Sequence, residues 1–152
     1  MIRFSTFGPH IDKNDLKFVK DAMQPKNWYI NPYKYCEKFE KNFAKYHNRK
    51  FALMTPNCTL AIHLFLLSLN LNKNDEVIVP ESTWIATASP VLQTKAKLVL
   101  CDVDEDTWCL SLHQLKKIVT KKTKVIIATS VFGNMPNYRE LEIFCKKRKI
   151  YL

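Results

Sequence analysis

The chain switches repeatedly between two hydrophobic rhythms. Over DKNDLKFVKDAMQ, residues 12–24, the apolar residues Leu16, Phe18, Val19, Ala22 and Met23 fall on roughly one helical face. Phe39, Phe43 and Tyr46 repeat the pattern in EKFEKNFAKY, residues 37–46. From residue 50 onward, short continuous apolar runs take turns with longer helical ones. KFALM (50–54), EVIVP (76–80), KLVLCDV (97–103), KVIIATSV (124–131) and KIYL (149–152) predict strands. TLAIHLFLLSLN (59–70), TWIATASPVLQ (83–93), SLHQLKKIV (111–119) and NYRELEIFCKKR (137–148) predict helices. Unbroken apolar strands separated by helices are buried on both faces, which predicts an α/β fold with a mostly parallel sheet covered by helices. Residues 1–48 are expected to form an amino-terminal helical segment packing on a main α/β domain of residues 49–152.

In such sheets ligands bind beyond the carboxyl ends of the strands, so the strand-to-helix junctions are where chemistry is sought. At TPNCTLAIHL, Pro56 biases Thr55 towards an extended backbone, and Asn57 or Thr59 can cap a helix whose first amides have no internal partner. Two readings stand side by side: a plain helix cap, or an anion site with a hydroxyl beside the free helix end. The glycines of a P-loop or of a dinucleotide-binding turn are missing. At VPESTWIAT, Trp84 falls in the first turn of the next helix, where its ring either packs in the core or at the rim, or stacks on something planar. Taken together, an anion site and a flat aromatic face at neighbouring strand ends suit a phosphorylated aromatic ring.

Charge and composition narrow the partners. The net charge of +10 raises nucleic acid as a candidate, yet only Arg3, Arg49, Arg139 and Arg148 of the 24 basic residues are arginine. Dispersed lysine is the usual solvated surface, whereas arginine forks dominate base recognition. A specific nucleic-acid partner is therefore not expected, and an anionic small substrate is compatible. The five cysteines, Cys36, Cys58, Cys101, Cys109 and Cys145, show no CxxC spacing, so neither a metal site nor a disulfide framework is expected. No apolar run has membrane-spanning length and the first residues lack a signal-peptide pattern, which predicts a cytoplasmic chain without a membrane partner. With only Gly8 and Gly133, asparagine is expected to fill left-handed turn positions.

Several of these segments, in this order, resemble the amino-terminal half of the DegT/StrS family of pyridoxal-phosphate sugar aminotransferases: WYINPYKYCEKFEKNFAKYHNRKFALM, TPNCTLAIHL, VPESTWIATASPVLQTKAKLVLCDVDEDTW and TKVIIATSVFGNMP. The resemblance covers essentially the whole chain. It implies part of the large domain of a fold-type I transferase, a homodimer, and pyridoxal 5'-phosphate as cofactor. Its reaction would carry an amino group from an amino acid, usually glutamate, to a keto sugar nucleotide for cell-surface polysaccharide or deoxyamino-sugar biosynthesis. DEDTW, residues 104–108, resembles perosamine-synthase-like members.

Residue by residue, the resemblance implies that the Thr59 hydroxyl and the adjoining backbone amides, including that of Leu60, hold the cofactor phosphate, with Cys58 standing where members have glycine. Trp84 matches the aromatic that stacks on the pyridine ring. His63 matches a common family histidine and is expected to be a hydrogen-bonded core residue. Ser130 replaces a frequent histidine, and Asn31 replaces a frequent glycine. The resemblance also implies that the chain is an amino-terminal fragment with an incomplete cofactor-binding domain, holding no catalytic residue of its own. The carboxylate facing the ring nitrogen and the Schiff-base lysine are expected beyond Leu152, so the 152 residues alone are expected to be inactive. A sugar dehydratase of the same family, in which histidine replaces that lysine, and a non-catalytic remnant or binding domain are the alternatives.

Overall fold

In the computed structural model, which describes residues 10–152, the chain divides between Met54 and Thr55 into two units. The first holds helices α1 (Lys13–Ala22), α2 (Pro25–Tyr29) and α3 (Lys34–Tyr46). Helix α1 starts at a reciprocal cap: the Asp12 carboxylate accepts the amides of Asn14 and Asp15, and the Asp15 carboxylate accepts that of Asp12. Pro25, with no amide to leave unpaired, opens α2. The loop ends are joined by one polar cluster, in which the Asp21 carboxylate accepts from Lys34 Nζ at 2.7 Å, from the Tyr35 hydroxyl and from the Asn27 amide. Those hydrogen bonds, Lys34 first and Tyr35 second, hold the Asp21 carboxyl down at about 2.

The strand expected at residues 50–54 is not formed. Strand backbone needs a neighbour to receive its polar groups, and among the described residues none runs beside this segment. Its Met54 amide is taken instead by the Glu40 carboxylate at 2.7 Å.

The second unit contains α4 (Cys58–Ser68), β1 (Glu76–Pro80), α5 (Ile85–Leu92), β2 (Lys97–Cys101), α6 (Leu112–Ile118), β3 (Thr123–Ile126) and α7 (Tyr138–Arg148). The strands form a parallel sheet in the order β2-β1-β3, with Val77 opposite Leu98 on one side and Val125 on the other. The expected strand at KIYL is reduced to one parallel bridge, Val125 to Tyr151, on the outer side of β3. Central β1 is buried at every position, which is why EVIVP reads as an unbroken apolar run.

Alternate residues of β1 feed two cores. Val77 and Val79 pack with Leu66 of α4 and Val91 of α5 on one face. Ile78 packs with Leu115 of α6 and Leu141, Phe144 and Cys145 of α7 on the other. Burial pushes the Cys101 thiol up to about 11, helped by the negative charges of Asp102 and Glu81, and raises that of Cys145. At the amino edge of the sheet, the buried Glu76 carboxylate accepts the hydroxyls of Thr120 and Thr123, where the β1–β3 register shifts.

Asparagine does fill two left-handed positions, Asn48 (φ 51°) after α3 and Asn70 (φ 52°) after α4. Asn31 is not among them. The other non-glycine residues with positive φ are Trp108, Phe132 and Lys149. Among the described residues no helix is long and apolar enough to cross a membrane.

Candidate functional site

The two faces of the sheet explain where a ligand can enter. Leaving β1, the chain turns to α5 on the face of Val77 and Val79; leaving the neighbouring strand β3, it turns to α7 on the face of Ile78. Adjacent parallel strands whose chains depart to opposite faces leave a crevice between their carboxyl ends. The loops bordering it are residues 81–84 and 127–137. Helix α4 brings its amino end to the same edge. Its 11 residues span about 16 Å at a helical rise, close to the roughly 16 Å of the five residues of β1, against which it lies through Leu66. Consistently, Ala61 and Ile62 border a groove together with Ile127 and Ala128, just past the end of β3. That groove, about 690 Å³, runs along the outer side of β3 and is also lined by Phe65, Leu152, Tyr138 and the carboxylate of Glu142.

At the start of α4 the cap is formed, and it leaves other donors over. Asn57 is the cap residue, and its side chain accepts the Leu60 amide at 2.9 Å. The Ala61 amide reaches the Asn57 carbonyl at 3.1 Å. The amides of Cys58 and Thr59 and the Thr59 hydroxyl have no acceptor among the described residues. Two amides, a hydroxyl and the positive end of an 11-residue helix meet in one cradle, a geometry suited to an anion. Cys58 is exposed and Thr59 half-buried, so the cradle is open to solvent. The Leu60 amide is already engaged by Asn57.

Trp84 sits one step earlier than expected. It is the cap residue of α5, with extended backbone (φ −65°, ψ 137°), and not a member of the first turn. Its side chain makes no cap hydrogen bond and is 79% exposed, so rim packing does not account for it. The loop behind it is stiffened by Thr83 and Thr87, whose hydroxyls lie 3.0 Å apart. An exposed indole at the carboxyl end of β1 is free to lie over a planar ring.

His63, expected to be a hydrogen-bonded core residue, is half-buried, and its Nε2 has no partner among the described residues. Ser130 lies at the rim, its hydroxyl 3.4 Å from that of Tyr138.

One feature of the crevice was not anticipated from the residues. Val131 and Asn134 exchange two backbone hydrogen bonds, 3.1 and 2.8 Å, around Phe132 (φ 49°) and Gly133 (φ 91°). Two positive φ values in succession make this a type I′ turn, whose first position favours asparagine, aspartate or glycine. Phenylalanine there bears a left-handed backbone costing about 1–2 kcal/mol, and its ring is 95% exposed. The turn is braced by Asn134 Nδ2, which donates to the Thr107 carbonyl at 3.2 Å. Thr107 in turn donates its amide and hydroxyl to Asp104, both at 3.0 Å, which lowers the Asp104 carboxyl below its ordinary range. The glycine following an aromatic in FGNMP was the available signal for this hairpin.

Against known proteins, residues 9–152 match the DegT/DnrJ/EryC1/StrS aminotransferase family. The GDP-perosamine synthase of Vibrio cholerae is 30% identical over 146 residues, 96% of this chain and 40% of that protein. Among solved structures, the aminotransferase from Psychrobacter cryohalolentis superposes with a TM-score of 0.82 at 29% identity, over 94% of this chain and 36% of that one. The Escherichia coli GDP-4-keto-6-deoxy-D-mannose-3-dehydratase with bound hydrated PLP superposes at 0.80 and 26% identity, over 99% of this chain and 40% of that one. The chain thus spans about two fifths of the length of the relatives it matches. The expected fold, a helix-covered parallel sheet of the transferase large domain, is the one observed.

Proposed function

Because the chain belongs to the DegT/DnrJ/EryC1/StrS aminotransferase family, we propose that it is part of a pyridoxal-phosphate-dependent enzyme that moves an amino group from an amino acid, glutamate by family resemblance, onto a keto sugar nucleotide. The observation that carries this is the cradle at α4: amides and a hydroxyl left without acceptors, at the same sheet edge as an exposed tryptophan. Phosphate and planar ring are two parts of one ligand, and the crevice offers a separate group for each.

When bound, pyridoxal phosphate supplies the electron sink for charge that builds on carbon during amino-group exchange. The chain's own part is to bind and orient. The Cys58 and Thr59 amides and the Thr59 hydroxyl hold the phosphate, the Leu60 amide assists by sharing with Asn57, and Trp84 covers one face of the ring against water. No lysine of this chain is assigned to proton transfer, and the 152 residues by themselves are proposed to bind cofactor without turning over. The complete protein is proposed to act as a homodimer, in deoxyamino-sugar or surface-polysaccharide synthesis. A cytoplasmic setting is supported by five free cysteines. The likenesses to a GDP-perosamine synthase and to a GDP-4-keto-6-deoxy-D-mannose 3-dehydratase favour a GDP-linked 4-keto-6-deoxy hexose as acceptor.

The likeness to a 3-dehydratase supports a second reading, dehydration of the same class of sugar. One experiment separates them. The complete protein is incubated with pyridoxal phosphate, glutamate and GDP-4-keto-6-deoxymannose, and the nucleotide sugars are read by mass spectrometry. An amino sugar supports the transferase, a 3-deoxy sugar supports the dehydratase, and unchanged substrate leaves the non-catalytic alternative.

A further inference from the structure

Phe132 combines two costs that proteins seldom carry together at a surface. Its backbone is left-handed without being glycine or asparagine, and its ring is 95% exposed, so no packing offsets the strain. Strained residues of this kind persist where the surrounding structure over-determines them, and they concentrate at ligand contacts. Here the over-determination is visible: paired hydrogen bonds close the turn, and Asn134 ties it to the Thr107 carbonyl. The ring is therefore presented on a rigid support at the carboxyl end of β3.

We propose that Phe132 is a specificity-determining contact for the sugar substrate, packing its ring against the apolar C–H face of the keto hexose. The proposal rests on the aminotransferase reading above and deepens it. Position decides which part of the substrate is met. The cofactor cradle and Trp84 belong to α4 and to the end of β1. Strand β3 is the next strand over, a spacing of about 4.8 Å, and its loop leaves on the opposite face. A group on that loop borders whatever lies directly beside the cofactor ring, and the reacting carbon of the sugar must lie there. The base, held at the far side of a diphosphate, does not. Hexoses present a face of ring C–H groups, and a 6-deoxy sugar adds a methyl group. An exposed aromatic ring matches both, while polar turn residues such as asparagine match neither.

The test uses Phe132→Asn and Phe132→Tyr in the complete protein. Asparagine is the residue a type I′ turn prefers, so this variant relieves strain and removes the ring at once. Expected for Phe132→Asn are an apo melting temperature equal to or above that of the wild type, a KM for the keto sugar nucleotide raised at least about tenfold, and a KM for the amino donor within about twofold of wild type. Phe132→Tyr is expected to restore the sugar KM. An unchanged sugar KM overturns the proposal, and so does an equal rise for both substrates, which marks general damage to the site. A change in sedimentation mass with unchanged sugar KM also overturns it, by assigning the ring to a second copy of the chain. Wild-type protein that turns over no keto sugar nucleotide overturns the functional reading itself, and this proposal with it.

Discussion

The Asn57 side chain accepts the amide of Leu60 at 2.9 Å, and by doing so leaves the amides of Cys58 and Thr59 as the free donors of α4. Capping and the proposed anion binding thus draw on separate groups, and substitutions should separate them.

Thr59→Val in the complete protein is expected to weaken pyridoxal-phosphate binding by about 1.5–3 kcal/mol, the range for one hydrogen bond to a charged group. Asn57→Ala is expected instead to lower stability by about 1 kcal/mol through loss of the cap. Equilibrium dialysis against cofactor and urea unfolding of the apo protein read the two effects independently. Equal cofactor affinity in wild type and Thr59→Val would count against the phosphate role.

Trp84→Ala is expected to weaken cofactor binding and shift the absorbance of the bound cofactor, with the apo melting temperature unchanged because the ring packs on little in the fold. Trp84→Phe should preserve both, since stacking needs a π-face more than an indole N–H. A melting temperature lowered as much in apo as in holo protein, without a spectral change, points to packing and not to stacking.

The Asp21 cluster makes the first unit sensitive to acid. A carboxyl at about 2 when folded, against 3.8 ordinarily, stabilises the fold fully above pH 3.8, and that contribution is lost as pH falls through about 2. Lys34 and Tyr35 are both raised, chiefly by their hydrogen bonds to Asp21, so their contributions are present below their ordinary values of 10.5 and 10.0 and fade as pH climbs past them. Fluorescence of Trp28, in α2 beside the cluster, should follow the acid transition, and Asp21→Asn should remove the part of it between pH 3.8 and about 2. Identical acid profiles for the two proteins would rule this linkage out.

Leu66 and Leu67 are neighbours on α4 with opposite surroundings, one buried between β1 and α5 and the other exposed. Leu66→Ala is expected to cost about 2–5 kcal/mol, and Leu67→Ala within about 0.5 kcal/mol. Chemical denaturation of the two variants checks the contrast.

Elements that carry their own signal were legible in the residues. EVIVP reads as a buried strand because both faces of β1 are covered, and Asn57 reads as a cap because the chemistry of capping is local. What escaped depended on neighbours. Residues 50–54 have the composition of a strand but no partner among the described residues, and α2 is too short to show a period. His63 was expected to find a hydrogen bond, yet its Nε2 has no partner among the described residues. Trp84 and Thr59 stand out in the sequence at helix starts, but their exposure and free donors are properties of the folded edge. Phe132 was passed over because its φ is set by the Val131–Asn134 pairing, and nothing in an isolated phenylalanine announces it.

The clamp of Glu76 on Thr120 and Thr123 joins residues 44 and 47 positions apart at the amino edge of the sheet. It fixes the alignment of β1 with β3 from the end remote from the crevice. Loops at the other end can therefore lengthen, shorten or change character without disturbing strand registration. In evolutionary terms this separates heritable variation in the crevice loops from variation in foldability. Residues 127–137 can be rewritten while the same threonines and glutamate keep the scaffold in step.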